Sequence, residues 1–167
     1  MGEKLTKSDV AKIRQEIEHR RIVVRREKLE AVKVARAHGD LSENFEYHAA
    51  KKEKNANESR IRYLERMLRT ATVIDDSSKS DEIGINNSVE VFFEDEEESE
   101  TYRIVTSIRG NSMNGLVSID SPIGKALLGR KKGDRVYVKV RDDFGYYLQV
   151  RNISKDHSDE EDKLRVY

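Results

Sequence analysis

Apolar and small side chains recur at alternating intervals of three and four at Val10, Ile13, Ile17, Val24, Ala31 and Val34, with Arg20 and Glu27 in the two intervening positions. This heptad spacing predicts one long helix over residues 6–38. Thr6 followed by Asp9 gives it a capping-box start, with Leu5 available as the staple residue. A second run keeps the rule at Tyr47, Ala50, Lys54, Asn57, Ile61, Leu64, Leu68 and Ala71. Between the runs, Gly39 suits the position after a helix C-terminus, and Asp40 or Ser42 can cap the helix that follows. Folding back about residues 40–43 brings Glu27 near Lys54 to Asn57, so polar seam positions meet each other. The expectation is an antiparallel coiled-coil hairpin over residues 1–74 whose polar middle layer fixes register. About 32 residues per helix at 1.5 Å rise give a rod of roughly 45 to 50 Å.

A rod this thin buries one seam only, so something compact should follow. Residues 75–88 are polar and turn-rich and read as a loosely ordered linker. Short β-rich runs then appear at Val89 to Phe93, Thr101 to Ser107, Gly115 to Ile119, Arg135 to Val140 and Tyr146 to Ile153, with period-2 alternation clear at Val136, Val138 and Val140. They predict a small antiparallel sheet over residues 89–153. Ser121 as N-cap, Pro122 at the first helical position and Gly129 as terminator mark one short helix, whose Ile123, Leu127 and Leu128 can pack onto the sheet. The acid run Glu94 to Glu100 reads as a solvated hairpin loop, and Asp159 to Asp162, in an acidic tail over 154–167, as a frayed end. The fold class is α+β.

Composition sharpens this division. Charged residues make up 38% of the 167 and hydrophobic ones 36%, against roughly 25% charged in an average domain, which argues against one thick-cored globule. Net charge is zero, yet residues 1–74 carry 18 Lys and Arg against 12 Asp and Glu, while residues 75–167 carry 14 against 20. Seven of the nine glycines lie at or beyond Gly84, and the only proline is Pro122. With neither an apolar run of about 18 residues nor a signal-peptide pattern, the chain is expected to be cytoplasmic, with no membrane partner. Zero cysteines exclude disulfides, thiolate metal sites and cysteine nucleophiles, so any metal would be a hard ion held by carboxylates.

The tip, Gly39 to Glu46, concentrates carboxylates at Asp40, Glu43 and Glu46, spaced by three. Two readings stand. Acids at a helix N-terminus offset the macrodipole and cap free N–H groups; oxygen ligands at this spacing also suit Mg²⁺, which needs only one or two protein carboxylates when waters and a phosphate complete its shell. His38 and His48 flank the turn as surface residues. Phe45 either packs under the turn or is a contact residue. Behind the tip, Lys33, Arg36, Lys51, Lys52 and Lys54 form a basic collar. It is either the solvated coat of an exposed helix pair or an attractor for a phosphate backbone.

The segment Gly39-Asp40-Leu41-Ser42-Glu43-Asn44-Phe45-Glu46-Tyr47-His48-Ala49-Ala50, preceded by Ala35-Arg36-Ala37-His38, resembles the tip signature of the bacterial GreA/GreB transcript cleavage factors. Val117 to Gly129 resembles the same family's second signature, and with Tyr102 to Val105 between them the likeness covers about residues 4–153 in order. It implies a coiled-coil hairpin followed by a domain of FKBP-like fold that docks on RNA polymerase, while the hairpin enters the secondary channel. The family's tip acids fall on Asp40 and Glu43, which would share a weakly held Mg²⁺ inside the polymerase and promote hydrolysis of backtracked RNA. The collar would contact the nascent RNA 3′ segment, and Asp120, Ser121, Pro122 and Ile123 become the docking residues. Such a factor holds no tight cofactor, acts as a monomer and is not itself an enzyme. Phe45 departs from the small residue, commonly alanine, at this position of the family. Three rival readings are a channel-binding inhibitor without cleavage stimulation, a peptidyl-prolyl isomerase and a plain coiled-coil interaction protein. The first is opposed by retention of Asp40 and Glu43, the second by the absence of tryptophan, and the third leaves the tip acids unexplained.

Overall fold

The computed structural model describes residues 2–39, 44–156 and 158–166. The chain divides into two compact units, one built on Val10–Ala71 and the other on Lys4–Asp9 with Thr72–Tyr167. The elements begin with β1 (Lys4–Leu5), α1 (Lys7–His19), a π-helical turn (Arg20–Val24), α2 (Arg25–Arg36), α3 (Phe45–Thr70) and β2 (Thr72–Val73). The capping box forms as expected: Asp9 Oδ2 accepts from Thr6 N at 2.9 Å and Thr6 Oγ1 accepts from Asp9 N at 3.1 Å.

In the helical unit the first run changes phase at the π turn. Ile13 and Ile17 are buried as expected, but beyond the turn the inward positions are Val24, Lys28, Val32 and Ala35, whereas Glu27, Ala31 and Val34 are exposed. The seam has slipped by one residue. A π turn inserts one residue into the α repeat, and this one holds Ile22-Val23-Val24, β-branched side chains that crowd a regular α turn. The second run keeps its phase, with Asn57, Ile61 and Leu64 buried and Leu68 part-buried, while Met67, outside the run, is buried beside it.

The polar layer exists with partners other than those expected. Glu27 does not face Lys54 to Asn57. Instead Arg20 Nη1 donates to Asn57 Oδ1 at 2.9 Å, and Asn57 Nδ2 donates to the Arg20 carbonyl at 3.3 Å. Arg60 and Arg20 both donate to Glu16, at 2.9 and 2.7 Å. Burial opposes ionisation of Glu16, but hydrogen bonds from Arg60 and then Arg20 outweigh it and hold the carboxyl below its ordinary range. Arg25 to Glu58 and Lys28 to Glu53 continue the layer toward the tip. These long-range polar pairs have one correct register, which makes them register-setting contacts.

In the second unit β1 pairs in parallel with β2, Leu5 opposite Val73. The main sheet holds β3 (Ser88–Phe93), β4 (Glu98–Val105), β5 (Leu116–Ser118), β6 (Arg135–Arg141) and β7 (Phe144–Ser154), in the spatial order β5-β4-β3-β7-β6. All five runs read from the sequence are strands. One pairing differs from the antiparallel expectation: β5 lies parallel to β4, because the connection passes through 3₁₀ turns at Ser107–Arg109 and Ser112–Asn114 instead of closing a hairpin. The acid run is only partly a loop, since Glu98 to Glu100 lie in β4.

The core gathers Val89, Val91, Ile104, Val136, Val138, Leu148 and Val150 from the sheet with Leu127 from α4 (Pro122–Leu127). Ser121 caps α4, accepting from Gly124 N at 3.1 Å. Gly124 is needed for close approach: a Cβ there would lie 1.9 Å from the Ser118 carbonyl oxygen. Leu128, expected on the sheet, is 43% exposed. Ile83 and Ile85, in the stretch read as a linker, are buried in this core.

The same unit holds an ionic cluster that no local pattern announces. Arg109 is fully buried; its Nε donates to Asp9 Oδ1 at 2.6 Å, and its Nη1 to Asn86 Oδ1 and Asp162 Oδ2, both at 2.7 Å. Thr106 Oγ1 donates to Asp9 Oδ2 at 2.7 Å, and Thr6 Oγ1 to Asp159 Oδ2 at 2.9 Å. Arg103 forks onto Asp162. The acidic segment expected to fray is therefore fastened, and Arg165 N adds a bond to the Ile108 carbonyl at 2.6 Å. Burial works against the Asp162 charge, but Arg103 and then Arg109 override it and hold its carboxyl below the ordinary range.

Candidate functional site at the hairpin tip

Asp40 and Glu43, with Leu41 and Ser42, lie outside the described residues; their surroundings do not. α2 ends at Arg36, and Gly39 follows with φ +120°, a conformation that favours glycine. The cap of α3 is neither Asp40 nor Ser42. It is Asn44, whose Oδ1 accepts from Tyr47 N at 2.9 Å while its Nδ2 donates across to the Ala35 carbonyl at 2.7 Å. One side chain thus caps the second helix and ties it to the end of the first. An asparagine directly before the periodic run carries that signal in the sequence.

Glu46, the third of the spaced acids, is engaged locally, 2.9 Å from His38 Nδ1. Phe45 is 86% exposed, which rules out packing under the turn. His38 and His48 are exposed as expected, and His48 makes an edge contact with the Tyr47 ring at 5.5 Å between centroids. Among the described residues no group of three or more acids and histidines could hold a metal ion.

Part of the collar converges on Tyr47. Arg36 lies over its ring, 5.6 Å from the centroid. The phenol is pulled below its ordinary range by Arg36 first and by the positive fields of Lys51 and Lys54. Arg36, Lys51 and Lys54 thus surround Tyr47 behind the tip, which its seam position alone does not suggest. Lys33 and Lys52 are exposed on their helices.

The docking segment splits in two. Asp120 and Pro122 are exposed, Asp120 Oδ2 accepting from Ser107 Oγ at 2.6 Å. Ser121 is occupied as the helix cap, and Ile123 is half-buried against the core.

Comparison with known proteins covers both units. The family model for the N-terminal part of GreA/GreB transcription elongation factors matches residues 3–73, and that for their C-terminal part matches residues 77–155. Transcription elongation factor GreA of Geobacillus kaustophilus is 45% identical over 137 residues, which span 81% of this chain and 87% of that protein. GreA of Caldanaerobacter subterraneus subsp. tengcongensis is 47% identical with the same coverage. Among solved structures, GreA factor homolog 1 of Thermus thermophilus is 27% identical, with a TM-score of 0.42 over 92% of this chain and 99% of that one. With both halves matched in order, the chain belongs to the GreA/GreB family of transcription elongation factors.

Proposed function

We propose that this factor binds bacterial RNA polymerase, inserts its hairpin through the secondary channel and stimulates the polymerase's own Mg²⁺-dependent cleavage of backtracked nascent RNA. The observation that carries this reading is the tip motif from Gly39 to Ala50: Gly39 follows α2, Asn44 caps α3 and Phe45 to Ala50 form its first turns, on two helices held in register.

Asp40 and Glu43 offer two hard oxygen donors, a set that suits Mg²⁺ with water and phosphate completing the shell. Bound there, the ion would neutralise developing charge and acidify a coordinated water, as in two-metal phosphodiester hydrolysis. The chain's own contribution is positional. Asp40 and Glu43 supply charge at the tip, and Arg36, Lys51 and Lys54, with Lys33 and Lys52, attract the phosphates of the extruded RNA 3′ segment. Asp120 and Pro122 offer the exposed part of a docking surface on the β domain, and Ser121 and Ile123 hold that segment in shape. The factor works as a monomer, in the cytoplasm, and owns no complete active site.

The test is to add purified protein and Mg²⁺ to halted, backtracked elongation complexes. Shortened RNA that can be extended again is expected. A protein that binds the polymerase and leaves RNA length unchanged would be a blocking factor and would overturn the reading.

A further inference from the structure

The core-side face of the main sheet does not end where its aliphatic residues do. Strand alternation and register put Phe93 in line with Val89 and Val91, Tyr102 with Ile104, and Tyr146 with Leu148. Phe93, Tyr102 and Tyr146 are half-buried, packed on one side against the core and open on the other to a cavity of about 340 Å³. That volume lies at the lower end of the range for small-ligand sites. Tyr102 meets Phe93 edge-on at 6.3 Å and Tyr146 tilts against it at 5.7 Å, so the rings form one aromatic wall.

The rim carries Asp95, Glu96 and Glu100, and no lysine or arginine lines the cavity among the described residues. Neighbouring acids are neutralised: Glu94 by Arg135, Asp142 by Lys139 and Asp143 by Arg141. Asp95, Glu96 and Glu100 have no ion-pair partner among the described residues; Glu100 instead accepts from the Tyr102 hydroxyl. Burial raises both phenols above their ordinary range; on Tyr102 the hydrogen bond to Glu100 and then the Glu100 charge add to it, and on Tyr146 the Glu96 charge does. Two further lining rings, Phe144 and Tyr147, already carry Arg141 and Arg135, so the charge left open at the Phe93, Tyr102 and Tyr146 side is that of Asp95, Glu96 and Glu100, which repels phosphate and favours a cation.

The same sheet shows which cation its rings accept. Arg135 lies 3.7 Å from the Tyr147 centroid, Arg151 4.6 Å from that of Phe92 and Arg141 5.7 Å from that of Phe144. A guanidinium can stack on a ring and meet a carboxylate in the same plane, which an ammonium does less well. We infer that the cavity walled by Phe93, Tyr102 and Tyr146 and rimmed by Asp95, Glu96 and Glu100 is a receptor for an arginine side chain presented by a protein partner. It is separate from the tip chemistry and uses none of the residues assigned to polymerase docking.

The test uses full-length protein and two peptides, acetyl-Gly-Arg-Gly-amide and its citrulline analogue, which keeps the shape of arginine without the charge. Titrations followed through the aromatic NMR signals should show saturable shifts of Phe93, Tyr102 and Tyr146 with the arginine peptide, at about millimolar affinity. The citrulline peptide should bind at least about tenfold more weakly. The double variant Glu96→Gln/Glu100→Gln keeps size and hydrogen bonding at exposed positions, and should weaken arginine binding at least about threefold with native ring signals retained. Equal binding of the two peptides, shifts that never saturate, or full affinity in the double variant would each overturn the assignment.

Discussion

Asp9 has two functions at one carboxylate: it closes the capping box of α1 and it neutralises Arg109, both residues being fully buried. The first function is legible, because Thr6 and Asp9 are three apart; the second is not, because Asp9 and Arg109 are separated by 100 positions and neither has a local motif. Asp9→Asn keeps the capping geometry and removes one of the carboxylates that face Arg109 while Asp162 remains, which should cost about 1 to 3 kcal/mol in urea unfolding, the penalty of weakening one buried charged hydrogen bond. Asp162 gives the pH dependence. Its folded carboxyl is held below the ordinary range, so its stabilisation is complete above the unfolded value of about 4 and is lost as pH falls through the lower folded value. Wild-type stability should therefore drop on acidification below about pH 4, and Asp162→Asn, already weaker at pH 7, should lose less between pH 5 and pH 3 in the same assay.

At the scale of elements, the second heptad run was read at its true phase and the first only as far as Val24. A single extra residue in the turn Arg20–Val24 moves every later inward position from Glu27, Ala31 and Val34 to Lys28, Val32 and Ala35. Period counting assumes one repeat throughout, so it cannot register a one-residue insertion at Arg20–Val24. Deleting Ile22, which is 54% exposed, should convert the π turn to an α turn and leave all seam residues inward. Helix content by circular dichroism should be retained, with stability within about 1 kcal/mol of wild type. Deleting exposed Ser59 from the regular α3 should instead rotate everything beyond it by about 100° and disrupt the hairpin. A hairpin that melts like wild type after the Ser59 deletion would contradict this picture. The parallel β5 was hidden for a similar reason: alternation marks a strand but not its neighbour, and the 3₁₀ turns at Ser107–Arg109 and Ser112–Asn114 decide the direction of return.

At the scale of the molecule, the division into a helical hairpin and a β domain was visible in glycine, charge and periodicity, and the tip motif carried the family. What the sequence did not disclose were contacts between distant segments: Asn44 reaching back to Ala35, Arg20 meeting Asn57, and the residues around Asp162 fastened to Arg103 and Arg109. These contacts fix register and anchor the ends of elements, while the tip carries the chemistry proposed for the factor. The most direct measurement is the rate of RNA cleavage in backtracked complexes saturated with wild type, Asp40→Asn, Glu43→Gln and the double variant, across Mg²⁺ concentrations. Each single variant should fold and bind polymerase like wild type yet stimulate cleavage roughly tenfold less or worse, at least about 1.4 kcal/mol of transition-state stabilisation. The double variant should lose little more, because both carboxylates act on one ion. A polymerase-bound Asp40→Asn protein that cleaves at the wild-type rate at every Mg²⁺ concentration would contradict the assignment.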